Sequence, residues 1–496
     1  MSEPLWTSSD WTFDLIKKVD DKVAEIAHDE YQLDTYPNQI EIISSDQMLE
    51  AYSSHGLPVY YEHWSFGKQL TNQQKSYRRG RMGLAYEIVI NSNPCISYLM
   101  EENTMTMQAL VIAHACYGHN SFFKNNYLFK QWTDADSIVD YLLFAKKYIK
   151  ECEEKYGEKE VENLLDSAHA LADYGVDKYE KPRKMSIKDE ERRQKSREEW
   201  QQKYQNELWY NLVDKHKTKK TEIENFPKEP QENILYFIEK NSPRLKPWQR
   251  EIIRIVRKVS QYFYPQKQTK LMNEGWASFW HYTIMNNMFD KGLITQGAMI
   301  EFLKSHTNVT YQSSFEEEHY NGINVYSLGY NMFQDIKRMC EHPTEEDKRL
   351  FPDVAGGNWL ETVHHIMRNF RDESFILQYL SPKVIRDMKL IAIDDKNNSK
   401  EHIVTSIHDD YGFKKIRSDL SKQYNISYLE PDIYVHNTNL KTDRKLFLQH
   451  QSYEDMQLDE KSAKSVIKHV RKLWGYSVQL KSIDNKNSVR QLIIEP

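Results

Sequence analysis

The chain has 496 residues, of which 39% are hydrophobic, 12% aromatic and 28% charged, with a net charge of −6. That is material for a sizeable core in two or three domains, and 16 Gly with 15 Pro exclude a collagen-like or disordered polymer. The mild acidic balance lacks the basic footprint of a nucleic-acid binder, and no apolar run approaches the roughly 18–20 residues that span a bilayer. The four cysteines (Cys95, Cys116, Cys152, Cys340) stand far apart with no CxxC, as expected of reduced thiols rather than a disulfide framework or zinc ribbon. The opening MSEPLWTSSDWTFDL has no basic stretch followed by an apolar one, so no secretory leader is read there. A cytoplasmic protein without a transmembrane segment is expected.

From Asp10, a plausible N-cap, Leu15, Val19, Val23 and Ile26 recur at helical spacing. An aromatic-rich stretch follows around Gly56, Pro58 and Gly67, read as loop structure. MGLAYEIVINSNP reads as a short strand or buried segment ending in a turn at Asn93-Pro94. Residues 103–150 predict two helices, the second starting near Asp134, and EVENLLDSAHALADY predicts another from Glu160 to Tyr174, closed by Gly175. Mixed-sign charge from Lys178 to about Lys220 suggests an exposed helical arm, with Ser186 and Asp189 as a capping box. It is either a solvated connection or a partner-binding segment.

Pro247 stands where a first helical residue belongs, and Trp248, Ile252, Ile255, Val259 and Tyr262 form a stripe behind it. QTKLMNEGWASFWHYTIMNNMFD predicts the next helix, and residues 324–380 predict further helices joined by FPDVAGGNW. Beyond about Pro382 the texture changes. KLIAIDDKNNSKEHIVTSI and DIYVHNTNLKTDRKLFLQH each read as a strand pair. A helix with Ala463, Val466, Ile467 and Val470 inward then ends at Gly475, and a strand follows. The expected fold is a large, mainly α N-terminal domain over 8–382 with the charged arm at about 180–220, and a small α/β C-terminal domain over 383–496, α+β overall.

Two segments carry most of the potential chemistry. In ALVIAHACYGHNSFF, His114 and His119 are five residues apart, which a regular helix would separate by about 140°. A π-bulge would bring i and i+5 onto one face, and such bulges concentrate at functional sites; a break at Gly118 is the other way to bring His119 round. In NEGWASFWH, Glu274 and His281 lie almost two turns apart on one face, and Gly275, Ala277 and Ser278 would admit a neighbouring helix closely. If that neighbour carries His114 and His119, the four residues form a carboxylate–imidazole set suited to zinc or another first-row divalent ion. No Glu follows His114, so this is not HExxH, and a general base would have to come from elsewhere, with Glu87 and Tyr282 as guesses. The alternative is a hydrogen-bonded Glu–His core pair without metal.

His169, Asp173 and Asp177 form a third candidate group, with His169 and Asp173 at i,i+4. His63 lies in an aromatic loop and could line a pocket, and of His364 and His365 at most one can face inward. Gly-rich phosphate loops, a GxSxG elbow and a recognisable cysteine nucleophile are missing from the sequence.

Long strings in order identify a family resemblance: YEHWSFGK at 61–68, GLAYEIVINSNPC at 83–95, HACYGHNSFFKNNYLF at 114–129, MNEGWASFWHY at 272–282, FPDVAGGNWLET at 351–362 and DESFILQYLSP at 372–382. With them the chain resembles the stage V sporulation protein R (SpoVR) family. QYNISYLEP at 423–431 and LWGYSV at 473–478 resemble that family's C-terminal domain. The HACYGHN form looks like the version found in bacteria that do not sporulate. The resemblance implies a role in spore-cortex peptidoglycan formation or a related cell-envelope or stress process, with the chain acting as an adaptor or regulator through protein partners. It carries over no catalytic residues. A metal-dependent hydrolase built on HACYGH and NEGWASFWH is the alternative.

Overall fold

The computed structural model describes residues 3–54, 60–78, 87–179, 227, 229–313, 320, 322–390, 410–439, 442–453 and 456–495. The charged arm and the strand pair expected in KLIAIDDKNNSKEHIVTSI lie outside the described residues, apart from the pair's first two positions. Two compact units emerge, one drawn from Met1–His169 and Lys246–Pro431, the other from Ala170–Leu245 and Asp432–Pro496. The fold class is as expected: a mainly helical N-terminal region and a small C-terminal domain with a sheet.

In the first unit, helix Phe13–Glu25 buries Ile16, Val19 and Val23, and its cap is Thr12, two residues beyond the expected Asp10. The Thr12 hydroxyl accepts from the amide of Leu15, satisfying a donor that the helix itself leaves open. Three strands follow: β1 (Asn38–Ile43), β2 (Glu87–Ile90) and β3 (Cys95–Met100). β3 is central, parallel to β1 and antiparallel to β2. The chain then enters helix Met105–Val111, capped by Thr104, and runs on through a π-helical stretch, Ile112–His119, into helix Asn120–Asn125. Asn120 fastens this rod to the sheet edge, accepting from the Tyr36 amide and donating to Tyr36 O and Asn38 Oδ1.

Helix Pro247–Gln268 starts at its proline, and the expected stripe of Trp248, Ile252, Ile255, Val259 and Tyr262 is buried. The next helix, Lys270–Asp290, is buried on nearly every side, which marks it as the central rod of the unit. Asp372, at the start of helix Asp372–Tyr379, caps it by accepting from Leu271 N and Met272 N. Two neighbours approach the rod without side chains between. A Cβ on Gly118 would lie 2.6 Å from Ala277 Cα, and one on Gly275 would lie 2.4 Å from Gly329 Cα in helix Val325–Glu341. The small residues of NEGWAS therefore serve close packing on two faces. Trp276 Nε1 donates to Ser121 Oγ, and Ser121 Oγ donates to Gly118 O, so the same contact is also clipped by hydrogen bonds.

The expectation of one helix from Glu160 to Tyr174 needs correcting. Helix Glu158–His169 ends earlier, and Ala172–Tyr174 is a separate 3-10 turn. Gly175 has φ −102 and is not a left-handed cap; its carbonyl accepts from Asn233 Nδ2, and a Cβ there would meet Leu235 at 2.6 Å. Tertiary contacts with helix Ile234–Asn241, rather than local propensity, set the chain path here.

The second unit holds β4 (Asp432–Thr438), β5 (Leu446–Gln451), β6 (Val478–Ile483) and β7 (Val489–Glu495) in that spatial order. β5 and β6 are parallel, and both outer pairs are antiparallel. Parallel neighbours need a crossover, supplied by helix Glu460–Trp474, which ends at left-handed Gly475 (φ 87). Ala463, Ile467 and Val470 are buried as expected, and Val466 is half-buried.

Candidate metal centre

Every residue of the π-helical stretch Ile112–His119 is buried. The wider turn carries His114 and His119 to the same side, with ring centroids 4.6 Å apart and planes at 90°. Of the two ways to align this pair, the wide turn is the one realised; Gly118 serves the approach to Ala277.

Opposite the two rings stand Glu274, from the central rod, and Glu87, the first residue of β2. His114 Nε2 is 3.3 Å from Glu87 Oε1 and 3.8 Å from Glu274 Oε2, and His119 Nε2 is 3.5 Å from Glu274 Oε2. Glu87, His114 and His119 each offer a ligand atom, all within 4.8 Å of one another. These separations are long for hydrogen bonds. Two of them, 3.3 and 3.5 Å, fall on the edge length of a coordination tetrahedron, in which ligands at about 2.0–2.2 Å from one ion lie about 3.3–3.6 Å apart, and the 3.8 Å separation is slightly longer. The histidine side chains are only 5% and 8% exposed, whereas each carboxylate keeps 17%. Solvent thus reaches the group from the acidic side.

The remaining ring nitrogens have partners of their own. His119 Nδ1 lies 2.9 Å from Asn273 Oδ1, which fixes Nδ1 as the protonated nitrogen and leaves Nε2 a lone pair. His114 Nδ1 lies 2.8 Å from His281 Nδ1, and His281 Nε2 lies 2.8 Å from His306 Nδ1. Nε2 of His114 faces the carboxylates, and its Nδ1 begins a chain of hydrogen-bonded imidazoles that runs through His281 to His306. Such outer partners orient a ligating imidazole and set its tautomer.

Of the four residues singled out from sequence, His114, His119 and Glu274 face one another. His281 stands behind His114, with both ring nitrogens engaged by other imidazoles. Glu87, from β2, stands on the carboxylate side, 3.3 Å from His114 Nε2.

The ionisation pattern follows this layout. Burial disfavours charge on His114, but Glu87 and then Glu274 outweigh it and raise its pKa. Glu274 is buried too, yet His114 and His119 hold its carboxyl below the usual range. Burial raises Glu87, with His114 opposing and Glu274 adding to the rise. His119 falls to about 4 through burial. Burial and the nearby His114 push His281 well down and His306 to about 4. Tyr326 lies at Glu274; that carboxylate, with burial, drives its phenol up.

Other candidates are placed elsewhere. His169 Nε2 is 2.6 Å from the Tyr61 hydroxyl. Its helix ends there, Asp173 lies on the separate 3-10 turn Ala172–Tyr174, and Asp177 accepts from Asn233 Nδ2. His63 is buried against Phe66 and His169. His364 is inward, 3.0 Å from Tyr31 O, and His365 is exposed. Tyr282 packs on His306, with ring centroids 4.9 Å apart. His306 had no pattern around it in the sequence, and only the third dimension reveals its part.

The donors therefore define a compact His/carboxylate centre held by a strand, a π-helical turn and a long helix. The chain belongs to the SpoVR family. Its residues 10–429 match the model described as SpoVR like protein, and residues 431–485 match the SpoVR-like C-terminal domain. It is 58% identical over 489 residues to a protein of Escherichia coli (strain K12) named "Uncharacterized protein YcgB", covering 97% of this chain and 94% of that one. That relative comes from a non-sporulating bacterium, in keeping with the HACYGHN form. No solved structure matches the chain.

Proposed function

We propose that the chain is a metal-dependent enzyme of hydrolytic type, with His114, His119, Glu274 and Glu87 as the donor set for a zinc-like divalent ion. One observation carries the reading: donor atoms from three separate elements converge, with His–carboxylate separations of 3.3–3.8 Å that are longer than a short hydrogen bond and close to the spacing of ligands that share an ion. The ion would supply Lewis-acid polarisation. The protein's own part is to aim the two Nε2 lone pairs through Asn273 and His281, and to hold Glu274 against Tyr326.

The family name points to spore-cortex formation, and we place this chain's work in the cytoplasm, in a related cell-envelope or stress process. Among the described residues, no helix is long and apolar enough to cross a membrane. Metal analysis of full-length protein purified without chelator tests the centre. About one equivalent should disappear in His114→Ala and in His119→Ala; unchanged metal content in both would overturn it. An adaptor working through protein partners is the alternative. It gains if deletion of residues 180–220 removes a reproducible partner set while the metal-site variants leave that set and the cellular phenotype intact.

A further inference from the structure

A second group of donors lies outside this centre. The segment Tyr60–His63 leads into helix Trp64–Arg78 and packs against helix Glu158–His169. On the latter, Glu162 and Asp166 are one turn apart and face His63. His63 Nε2 is 3.0 Å from Glu162 Oε2 and 3.3 Å from Asp166 Oδ1. The three offer ligand atoms within 4.8 Å of one another.

The geometry resists the ordinary explanation of a hydrogen-bonded ion pair. His63 Nε2 and Glu162 Oε2 are both sequestered from solvent and neither has a hydrogen-bond partner, although they are close. The atoms are near each other with their bonding directions out of line, as expected where both point at a third party. His63 is 7% exposed. Its Nδ1 is 2.6 Å from Ser65 Oγ, so that nitrogen has its own partner and Nε2 is left for the cluster. Trp64 Nε1 donates to Asp166 Oδ1 at 2.8 Å, and Trp64's backbone N–H bonds Glu162, so both carboxylates are held in place. Asp166 keeps 36% side-chain exposure, which gives an ion a way in.

We propose that His63, Glu162 and Asp166 form a second divalent-cation site, taking a first-row transition ion and leaving positions for solvent. One imidazole and two carboxylates suit zinc, manganese or ferrous iron better than calcium, which favours all-oxygen sites. An ion there ties the segment entering helix Trp64–Arg78 to helix Glu158–His169. The proposal is independent of the first centre.

Zinc binding to full-length, chelator-stripped protein tests it, in a background carrying His114→Ala and His119→Ala. That background should retain about one zinc equivalent, and adding Glu162→Gln with Asp166→Asn should remove it. Because His63 is buried and its replacement could unfold the chain, the carboxylate variants carry the test. A second readout is the zinc-induced rise in melting temperature, which should fall away in Asp166→Asn alone while circular dichroism stays unchanged. Failure of the His114/His119 background to bind zinc overturns the proposal, as does binding unaltered by the carboxylate changes. If wild-type protein binds one equivalent that survives loss of His114 and His119 but not of Glu162 and Asp166, this site stands and the first centre falls.

Discussion

Gly118 meets Ala277 backbone to side chain, so close that any Cβ at position 118 would lie 2.6 Å from Ala277 Cα and 2.8 Å from its Cβ. This contact sets the distance between the π-helical stretch and the central rod, and with it the spacing of His119 from Glu274. Gly118→Ala should cost about 1–3 kcal/mol through overpacking, read as a lower urea midpoint. It should also weaken metal retention, because the two faces of the centre move apart. A variant as stable as wild type would show that the rods can slide freely.

His281 and His306 make a separable prediction. His281→Phe keeps an aromatic ring in the core but leaves His114 Nδ1 without its hydrogen-bond partner. Metal affinity should fall about 10–100-fold, the usual loss when an outer partner of a ligand is removed. Competition with a chromophoric chelator measures this. His306→Phe should have a smaller effect, since it acts one imidazole further back.

The folded state should lose stability in mild acid through His364. Burial lowers its pKa to about 4, with the Tyr31 carbonyl opposing and Arg368 reinforcing the shift. A depressed folded pKa means that the stabilisation is complete above the ordinary value of 6.5 and drains away as pH falls from there through 4. The span corresponds to about 3 kcal/mol. Urea denaturation at pH 7.5 and 4.5 should show a steep drop in wild type and a shallower one in His364→Gln, whose amide can still donate to Tyr31. Equal slopes would remove His364 as the cause.

Arg338 grips Asp347 at 2.7 and 3.0 Å while its Nε donates to Asp335, which in turn accepts from Ser381. Burial works against the Asp347 charge, but Arg338 and Thr344 outweigh it and hold the pKa at about 2. Its contribution is therefore full above the ordinary carboxylate value and lost as pH falls through 2. Asp347→Asn should cost about 2 kcal/mol at pH 7, measured by denaturant titration, without altering bound metal.

Much of this arrangement was legible in one dimension. The spacing of His114 and His119 made sense only on an irregular helix, and the small residues beside Glu274 announced a close neighbour. Periodicity marked the buried stripe of helix Pro247–Gln268 and the helix before Gly475. Glu87 was visible only as a guessed base, because its part depends on β2 pairing with β3 and reaching the π-helical stretch. His281 was read as a ligand since helix spacing reports which face a side chain occupies, not what stands between it and a common point. His306 is a lone histidine among polar neighbours, and sequence gives such a residue no address. The early end of helix Glu158–His169 was hidden for a similar reason: packing around Gly175 decides it, and the local sequence favours continuing.

The donors of the centre come from β2, from the π-helical turn and from a helix beyond the middle of the chain. A growing polypeptide emerging from the ribosome cannot present Glu274 until the region preceding it has been synthesised, so a prematurely terminated product lacks one wall of the centre altogether. Occupancy by an ion would thus report that translation has passed this point and that distant segments have docked.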